Sequence, residues 1–273
     1  MNDRIKLDEF KQQVAAIYDR RSQTYDRGDF HLKLANTLIK YARIQSGQNI
    51  LDIATGTGLV AIEAAKIVGK TGKVIGVDIS TGLLEVARKK IEVAGLTNVE
   101  LMLADAENLN FPENSFDRIL CCSALPLFPN VLDDLILWRS FLVSGGLIGL
   151  QVYAKTAFVA GYILQLVAKR YGIELIFSDL TGTEDKCYSL LQKAGFKNIE
   201  VHREQLGNYI ALEEAKKTWD GSFNHPLVSQ LKQLSPEKLA LAKAEYFAEL
   251  EALVTDKGIW NDRTVYYVLG SNC

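Results

Sequence analysis

The chain has 273 residues with 31 basic and 33 acidic side chains, a balance that gives no electrostatic case for a nucleic-acid partner or an anionic membrane. Apolar residues make up 48% and prolines number five, so a full core is expected and a small-molecule enzyme is the default reading. The amino-terminus alternates charge where a signal peptide needs an apolar core, no apolar run reaches the roughly 18 residues of a membrane span, and Cys121, Cys122, Cys187 and Cys273 lack metal-ligand spacing. A reduced, cytoplasmic protein without a metal site is therefore expected, either monomer or homodimer.

Residues 4–45 read as helices, with Phe10, Val14, Ile17 and Tyr18, then Leu32, Leu34, Ala35, Leu38, Ile39 and Ala42 at helical spacing. The segment between them, YDRRSQTYDRGDFH, is polar with aromatic interruptions and is a candidate lid over a ligand. From Asn49 strand and helix alternate, which predicts a parallel sheet covered by helices. Ile50–Gly58 is a buried strand entering a glycine-rich loop, followed by a helix to about Val68. Lys73–Ile79 is the second strand and Thr81–Ala94 the second helix. Val99–Asp105 and Phe116–Ser123 are the third and fourth strands. Val131–Val143 is a helix closed by Gly145 and Gly146, and Leu147–Tyr153 the fifth strand.

Beyond Ala154 the alternation is interrupted by an extra helix, Thr156–Gly172, before a helix over Thr183–Ala194 ended by Gly195 and a sixth strand, Asn198–Gln205. Helices follow over Ala211–Trp219, Pro226–Leu234 and Ser235–Val254, the last with Ser235 as N-cap and Pro236 at the first helical position. Arg263–Leu269 is the seventh strand. The expected organisation is one α/β domain: a helical lid over 1–45, a Rossmann-like core of a seven-stranded, mostly parallel sheet with helices on both faces over 46–205, a helical insertion over 206–258, and a final strand within 259–273.

Gly56-x-Gly58-x-x-Ala61 with Asp78 some 20 residues later satisfies the dinucleotide fingerprint, in which glycines let backbone approach a ligand and an acidic residue takes ribose hydroxyls. Asp52, four residues before Gly56, does not suit a pyrophosphate and does suit a ligand bearing an ammonium and a sulfonium. Asp105, in ADAENLNFPENSFD, can accept from an adenine amino group. Carboxylates at the ends of strands one, two and three thus match an amino-acid cation, a ribose diol and an adenine, the pieces of S-adenosylmethionine.

With these motifs the chain resembles a class I S-adenosylmethionine-dependent methyltransferase, of the branch that includes the ubiquinone and menaquinone biosynthesis enzymes. LDIATGTG, VIGVDIS, LADAENLNFPENSFD, FDRILCCSALPLFPN and SGGLIGL carry the likeness over Tyr18–Tyr153. The resemblance implies that Asp52, Ala54, Gly56 and Gly58 surround the methionine part. It places Asp78 on the ribose, Ile79 on the adenine face, Asp105 and Ala106 on the adenine edge, and the backbone of Cys121 and Cys122 beside the methionine. Tyr18 and Tyr25 would close over the cofactor. Ala54 replaces a common glycine, which is compatible with a residue of negative φ. The amino-terminal loop lacks the Asn and Trp that quinone-specific members carry there.

Methyl transfer from a sulfonium needs alignment in a dry pocket and no metal. A general base, where the acceptor needs one, would be His31 or His225; His202 reads as structural. Trp219, Phe223, Tyr246 and Phe247 could line an aromatic acceptor pocket or form core. The acceptor is expected to be a small, partly aromatic metabolite. A catalytically silent S-adenosylmethionine-binding regulatory protein and an NAD(P)-dependent oxidoreductase are the alternatives, the second lacking a Tyr-x-x-x-Lys pair.

Overall fold

The computed structural model describes residues 5–175, 179–223 and 226–273. Helix α1 (Glu9–Arg21) starts at Asp8, whose carboxylate accepts the Lys11 N–H at 2.8 Å, an N-cap that satisfies one of the first-turn donors. It continues through Tyr18, so the polar segment ahead of α2 (Phe30–Ala42) is shorter than the sequence suggests. Strand β1 (Asn49–Ile53), α3 (Leu59–Val68), β2 (Lys73–Asp78), α4 (Thr81–Val93), β3 (Val99–Leu103), β4 (Phe116–Cys122), α5 (Val131–Phe141) and β5 (Leu142–Tyr153) complete the regular part. Then come α6 (Val159–Arg170), α7 (Glu184–Lys193), β6 (Lys197–Gln205), β7 (Asn208–Ile210), α8 (Leu212–Ser222), a 3-10 segment (Pro226–Gln233), α9 (Pro236–Glu251), β8 (Ile259–Asn261) and β9 (Thr264–Ser271).

The main sheet has seven strands in the order β3-β2-β1-β4-β5-β9-β6, and β3 through β5 run parallel. Near-continuous apolar strands are what a parallel sheet covered by helices requires. Ile50, Leu51, Ile53, Val74, Val77, Ile119 and Leu120 are accordingly buried. The chain leaves β1 toward β2 and β3 on one side and returns to β4 and β5 on the other. A crevice therefore opens between β1 and β4 at the carboxyl ends, where ligands bind in open α/β sheets.

Three expectations are corrected. Gly145 and Gly146 do not close α5: the helix ends at Phe141, and the chain passes directly into β5. The glycines sit in an irregularity where Phe116 pairs with Leu142 but Arg118 with Leu147, so that three extra residues bulge from β5. Gly145 has φ +76°, and Asn272 holds the bulge by accepting from Gly145 N–H and donating from Nδ2 to the Leu142 carbonyl. Pro226–Gln233 is 3-10 rather than α-helical. The insertion is not wholly helical either: β7 and β8 form a second, two-stranded antiparallel sheet, pairing Asn208 with Asn261 and Ile210 with Ile259. Strands of three residues are too short to show an alternating pattern.

The chain divides into two compact units. One comprises residues up to Val152 with Asp185–His202 and Tyr267–Cys273; the other comprises Tyr153–Glu184 and Arg203–Tyr266. The second has its own core, in which Ile163, Leu164, Val167, Trp219, Leu231 and Tyr246 are buried. Tyr246 donates its hydroxyl to the Ala215 carbonyl at 3.0 Å, and Phe223 and Phe247 pack against the same cluster. The four aromatics proposed for an acceptor pocket therefore hold this unit together, as aromatics at helical spacing commonly do.

Gly58 precedes α3 with φ +80°, and a Cβ there would lie 3.2 Å from the Ala87 Cβ of α4. Left-handed backbone costs a non-glycine residue roughly 1–2 kcal/mol. Gly58→Ala is expected to lower stability by about that amount in urea titration, with the slope of the transition unchanged.

Candidate functional site

Asp52 lies on β1, Asp78 ends β2, Asp105 lies two residues past β3, and Cys122 ends β4. The parallel sheet sets these four side by side at one edge of the crevice. Asp52 is 1% exposed; its Oδ2 accepts the Thr55 hydroxyl at 2.5 Å, and burial pushes its pKa up to about 7. Asp78 is 7% exposed and accepts from Gly56 N–H at Oδ2 and from Ser80 N–H at Oδ1, both at 2.8 Å. Burial raises it to about 6, with those backbone bonds pulling the other way.

The loop after β1 is shaped by these bonds. Gly56 has φ +58°, and a Cβ there would meet nothing nearer than the Ala54 carbonyl at 4.0 Å. Ala54 has φ +52°, which corrects the expectation of a negative φ: it occupies the left-handed region without being glycine. Ser123, directly after β4, has φ +61° and donates its hydroxyl to Gln151 Oε1 on β5. Two strained non-glycine residues thus end neighbouring strands at the crevice, where such strain is commonly concentrated.

A cleft enclosing about 720 Å³ of space, part of it open to solvent, runs along this edge. It is bounded by Asp78, Ile79, Asp105 and Ala106 from the sheet side and by Lys11, Val14 and Tyr18 from α1. A second chamber of about 380 Å³ is lined by Asp52, Thr55, Thr57, His31, Leu59 and Val60. The two share Tyr25, Ala54, Gly56, Cys122 and Ser123. His31 stacks on Tyr25 at 4.7 Å between ring centroids, and burial lowers its pKa, so the imidazole is neutral at pH 7. Burial likewise raises the Tyr18 phenol and pushes the Cys122 thiol up to about 12.

The structure therefore brings together Tyr18, Tyr25, His31, Asp52, Ala54, Gly56, Asp78, Ile79, Asp105, Ala106 and Cys122. Gly58 and Cys121 line neither chamber: Gly58 faces α4, and Cys121 is 1% exposed in the core. His225 lies outside the described residues. His202 stacks on Tyr41 at 4.2 Å and contacts Glu200, away from the cleft.

Sequence reasoning missed Lys11. This lysine is 8% exposed and pairs with Asp105 at 2.7 Å and Glu107 at 2.9 Å. Burial pulls its pKa down, but the two carboxylates outweigh this and leave it raised. The available signal was its place three residues before Val14 and seven before Tyr18, on one helical face. Trp138, fully buried on α5, donates Nε1–H to the Ala106 carbonyl at 2.9 Å and so fixes the turn that carries Asp105.

The residues fit S-adenosylmethionine on structural grounds. The larger chamber offers apolar Val77, Ile79 and Leu83 with carboxylate acceptors for a nucleoside, and the smaller offers a buried carboxylate for an ammonium. No group of metal-ligating side chains occurs among the described residues, and no described helix is long and apolar enough to cross a membrane.

Comparison with known proteins agrees with this class of site. Residues 50–146 match the methyltransferase domain family. Aklanonic acid methyltransferase DauC of Streptomyces sp. strain C5 is 34% identical over 154 residues, covering 56% of this chain and 69% of that protein. A demethylmenaquinone methyltransferase of Listeria welshimeri is 34% identical over 142 residues, covering 50% of this chain and 60% of that protein. A phosphoethanolamine N-methyltransferase of Haemonchus contortus, solved with S-adenosylhomocysteine, shares the fold at a TM-score of 0.57 and 17% identity, covering 97% of this chain and 60% of that one. A Rossmann-like sheet with a nucleoside cleft at its switch point is the architecture of a class I methyltransferase. The chain belongs to the S-adenosylmethionine-dependent methyltransferase family, in the branch of the menaquinone-type enzymes, and S-adenosylmethionine is its cofactor.

Asp134, on α5, is 4% exposed, and its Oδ2 has no hydrogen-bond partner among the described residues. Burial raises its pKa to about 7, and the nearby Glu107 charge adds to the rise. A raised carboxylate binds its proton more tightly when folded. Its destabilising effect therefore grows as pH rises from the unfolded value near 4 to the folded value and is complete above it. Asp134→Asn is expected to shrink the loss of stability between pH 5 and pH 8 by about 1–2 kcal/mol, measured by urea unfolding at both pH values.

Proposed function

We propose that the protein transfers a methyl group to a small, partly aromatic acceptor, with the cofactor lying across both chambers. The carrying observation is the lining the two chambers share: Tyr25, Ala54, Gly56, Cys122 and Ser123. A nucleoside in the larger chamber and an amino acid in the smaller leave the sulfonium at that junction. When bound, the cofactor supplies an electrophilic methyl on sulfur.

In this reading Asp78 takes the ribose hydroxyls. Its two oxygens accept the backbone N–H groups of Gly56 and Ser80, which hold the carboxylate in place at the end of β2. Ile79 packs on the adenine, and Asp105 with the Ala106 backbone takes the adenine edge. Asp52 faces the ammonium, which draws its carboxyl toward the ionised form. The chain's part in rate enhancement is alignment and exclusion of water.

His31 is the candidate base for an acidic oxygen or carbon on the acceptor. It is neutral, its ring is held by a hydrogen bond to the Tyr25 backbone and by stacking on Tyr25, and it lines the chamber that joins the junction. Relatives named for acting on aklanonic acid and demethylmenaquinone support a carbon-rich acceptor, as does the aromatic wall of Tyr18, Tyr25 and Phe128. The near-neutral charge balance supports a metabolite over a nucleic acid.

Calorimetry should show binding of S-adenosylhomocysteine and none of NAD, with Asp78→Ala weakening the former at least tenfold; unchanged affinity in that variant would overturn the ribose assignment. Because binding of the ammonium favours ionised Asp52, affinity for S-adenosylhomocysteine is expected to tighten severalfold from pH 6 to pH 7.5, and Asp52→Asn should flatten that rise. Incubation with S-adenosylmethionine and a panel of phenols, quinols and amines should release S-adenosylhomocysteine with at least one phenol or quinol. With such an acceptor His31→Ala should lower kcat by about 10²-fold or more; a loss confined to cofactor affinity would overturn the base assignment.

A further inference from the structure

We propose that Lys11 is a positioning residue for the nucleobase: by occupying one oxygen of Asp105 it fixes the rotation of that carboxylate and leaves the other oxygen as the acceptor that selects adenine. The inference rests on the reading above that the adenine lies against Asp105.

The geometry separates the two oxygens of this carboxylate. Oδ2 accepts from Lys11 Nζ at 2.7 Å and from Asn108 Nδ2 at 2.8 Å, which exhausts its in-plane capacity. Oδ1 accepts the Glu107 N–H at 3.2 Å, a long bond that leaves a lone pair for a donor from the cleft. Two partners on Oδ2 fix the carboxylate's rotation, so the free lone pair of Oδ1 has one direction. The exocyclic amine of adenine is a donor; the 6-keto oxygen of hypoxanthine is an acceptor and would meet an ionised carboxylate unfavourably.

Lys11 reaches Asp105 inside an acidic corner of the cleft wall. Asp105, Glu107 and Asp134 interact electrostatically in this corner, and each is less than a tenth exposed or nearly so. Lys11 is the cation paired with two of them, and its own side chain is 10% exposed. Removing it takes one of the two donors from Oδ2 and leaves the carboxylate held there by Asn108 alone. A carboxylate free to turn no longer presents Oδ1 in one direction, and its discrimination between an amine and a ketone weakens. Lys11 belongs to α1 and Asp105 to the turn after β3, so base selection depends on a helix that contributes no strand to the fold.

The test is calorimetric titration of the full chain with S-adenosylhomocysteine and with its S-inosyl analogue, for the wild type, Lys11→Met, Lys11→Arg and Asp105→Asn. The wild type is expected to prefer the adenine form by at least tenfold, Lys11→Met to lose at least tenfold of that preference, and Lys11→Arg to keep it. Should Lys11→Met fail to fold, Lys11→Gln gives the same comparison. A variant that weakens both ligands by one factor, with their ratio within twofold of wild type, would mean that Lys11 merely docks α1, and the proposal falls. Unaltered affinities for both ligands would also overturn it. If instead the wild type shows no preference, or Asp105→Asn retains the full preference, the placement of adenine against Asp105 fails, a result separable from failure at Lys11.

Discussion

Two carboxylates buried at the carboxyl ends of the central strands impose most of the local structure at the cleft. Taking Asp52 and Asp78 out of water is costly unless each is supplied with hydrogen-bond donors. Asp52 obtains the Thr55 hydroxyl, and Asp78 obtains the N–H groups of Gly56 and Ser80. The Thr55 hydroxyl and the Gly56 N–H reach these carboxylates from a sharply turned loop after β1, with left-handed backbone at both Ala54 and Gly56. The glycine loop thus answers an electrostatic demand inside the protein and, in the same conformation, leaves an open surface at Gly56 facing the cleft.

The amino-terminal segment is tied to the same framework at three points, each next to a different strand end. Asp26 accepts the Thr57 hydroxyl at 2.8 Å and pairs with Lys90 at 2.5 Å, beside the loop after β1. Asp19 accepts from the Ser80 hydroxyl and Gly82 N–H, at 2.6 Å and 2.8 Å, beside the end of β2. Lys11 reaches Asp105 and Glu107 past the end of β3. Exposed ion pairs contribute little on their own, but these are partly or wholly buried and converge on the turns that carry the site. They turn α1 from a covering element into a wall of the cleft, with Val14 and Tyr18 facing inward beside Lys11.

Strain and burial divide the work among the remaining residues. Ser123 is held in left-handed backbone by its hydroxyl bond to the buried Gln151, which aims the turn after β4 at the junction of the two chambers. Gly58, by contrast, is needed for the packing of α3 against α4, and Cys121 for the core. A motif in the sequence therefore mixes residues that face the ligand with residues that make the motif's own geometry possible. The second unit shows the same economy: Trp219 and Tyr246 spend their area on its core.

The amino-acid sequence by itself determined the alternating strands and helices over 49–153, the crevice at their carboxyl ends and the three carboxylates in it. Period-two and period-3.6 patterning, glycine turns and charges at strand ends are local properties. The nucleoside character of the cleft was legible for the same reason, whereas the stacking of His31 on Tyr25 was not. Only the tertiary structure decided that Gly145 and Gly146 bulge within β5, because the pairing of Leu142 with Phe116 and the grip of Asn272 come from distant parts of the chain. It alone turned the aromatics of α8 and α9 inward, since burial depends on what packs opposite. It also set Lys11 against Asp105, 94 residues away. A lysine on a helix face reads as solvated until folding supplies the carboxylates that make its burial tolerable.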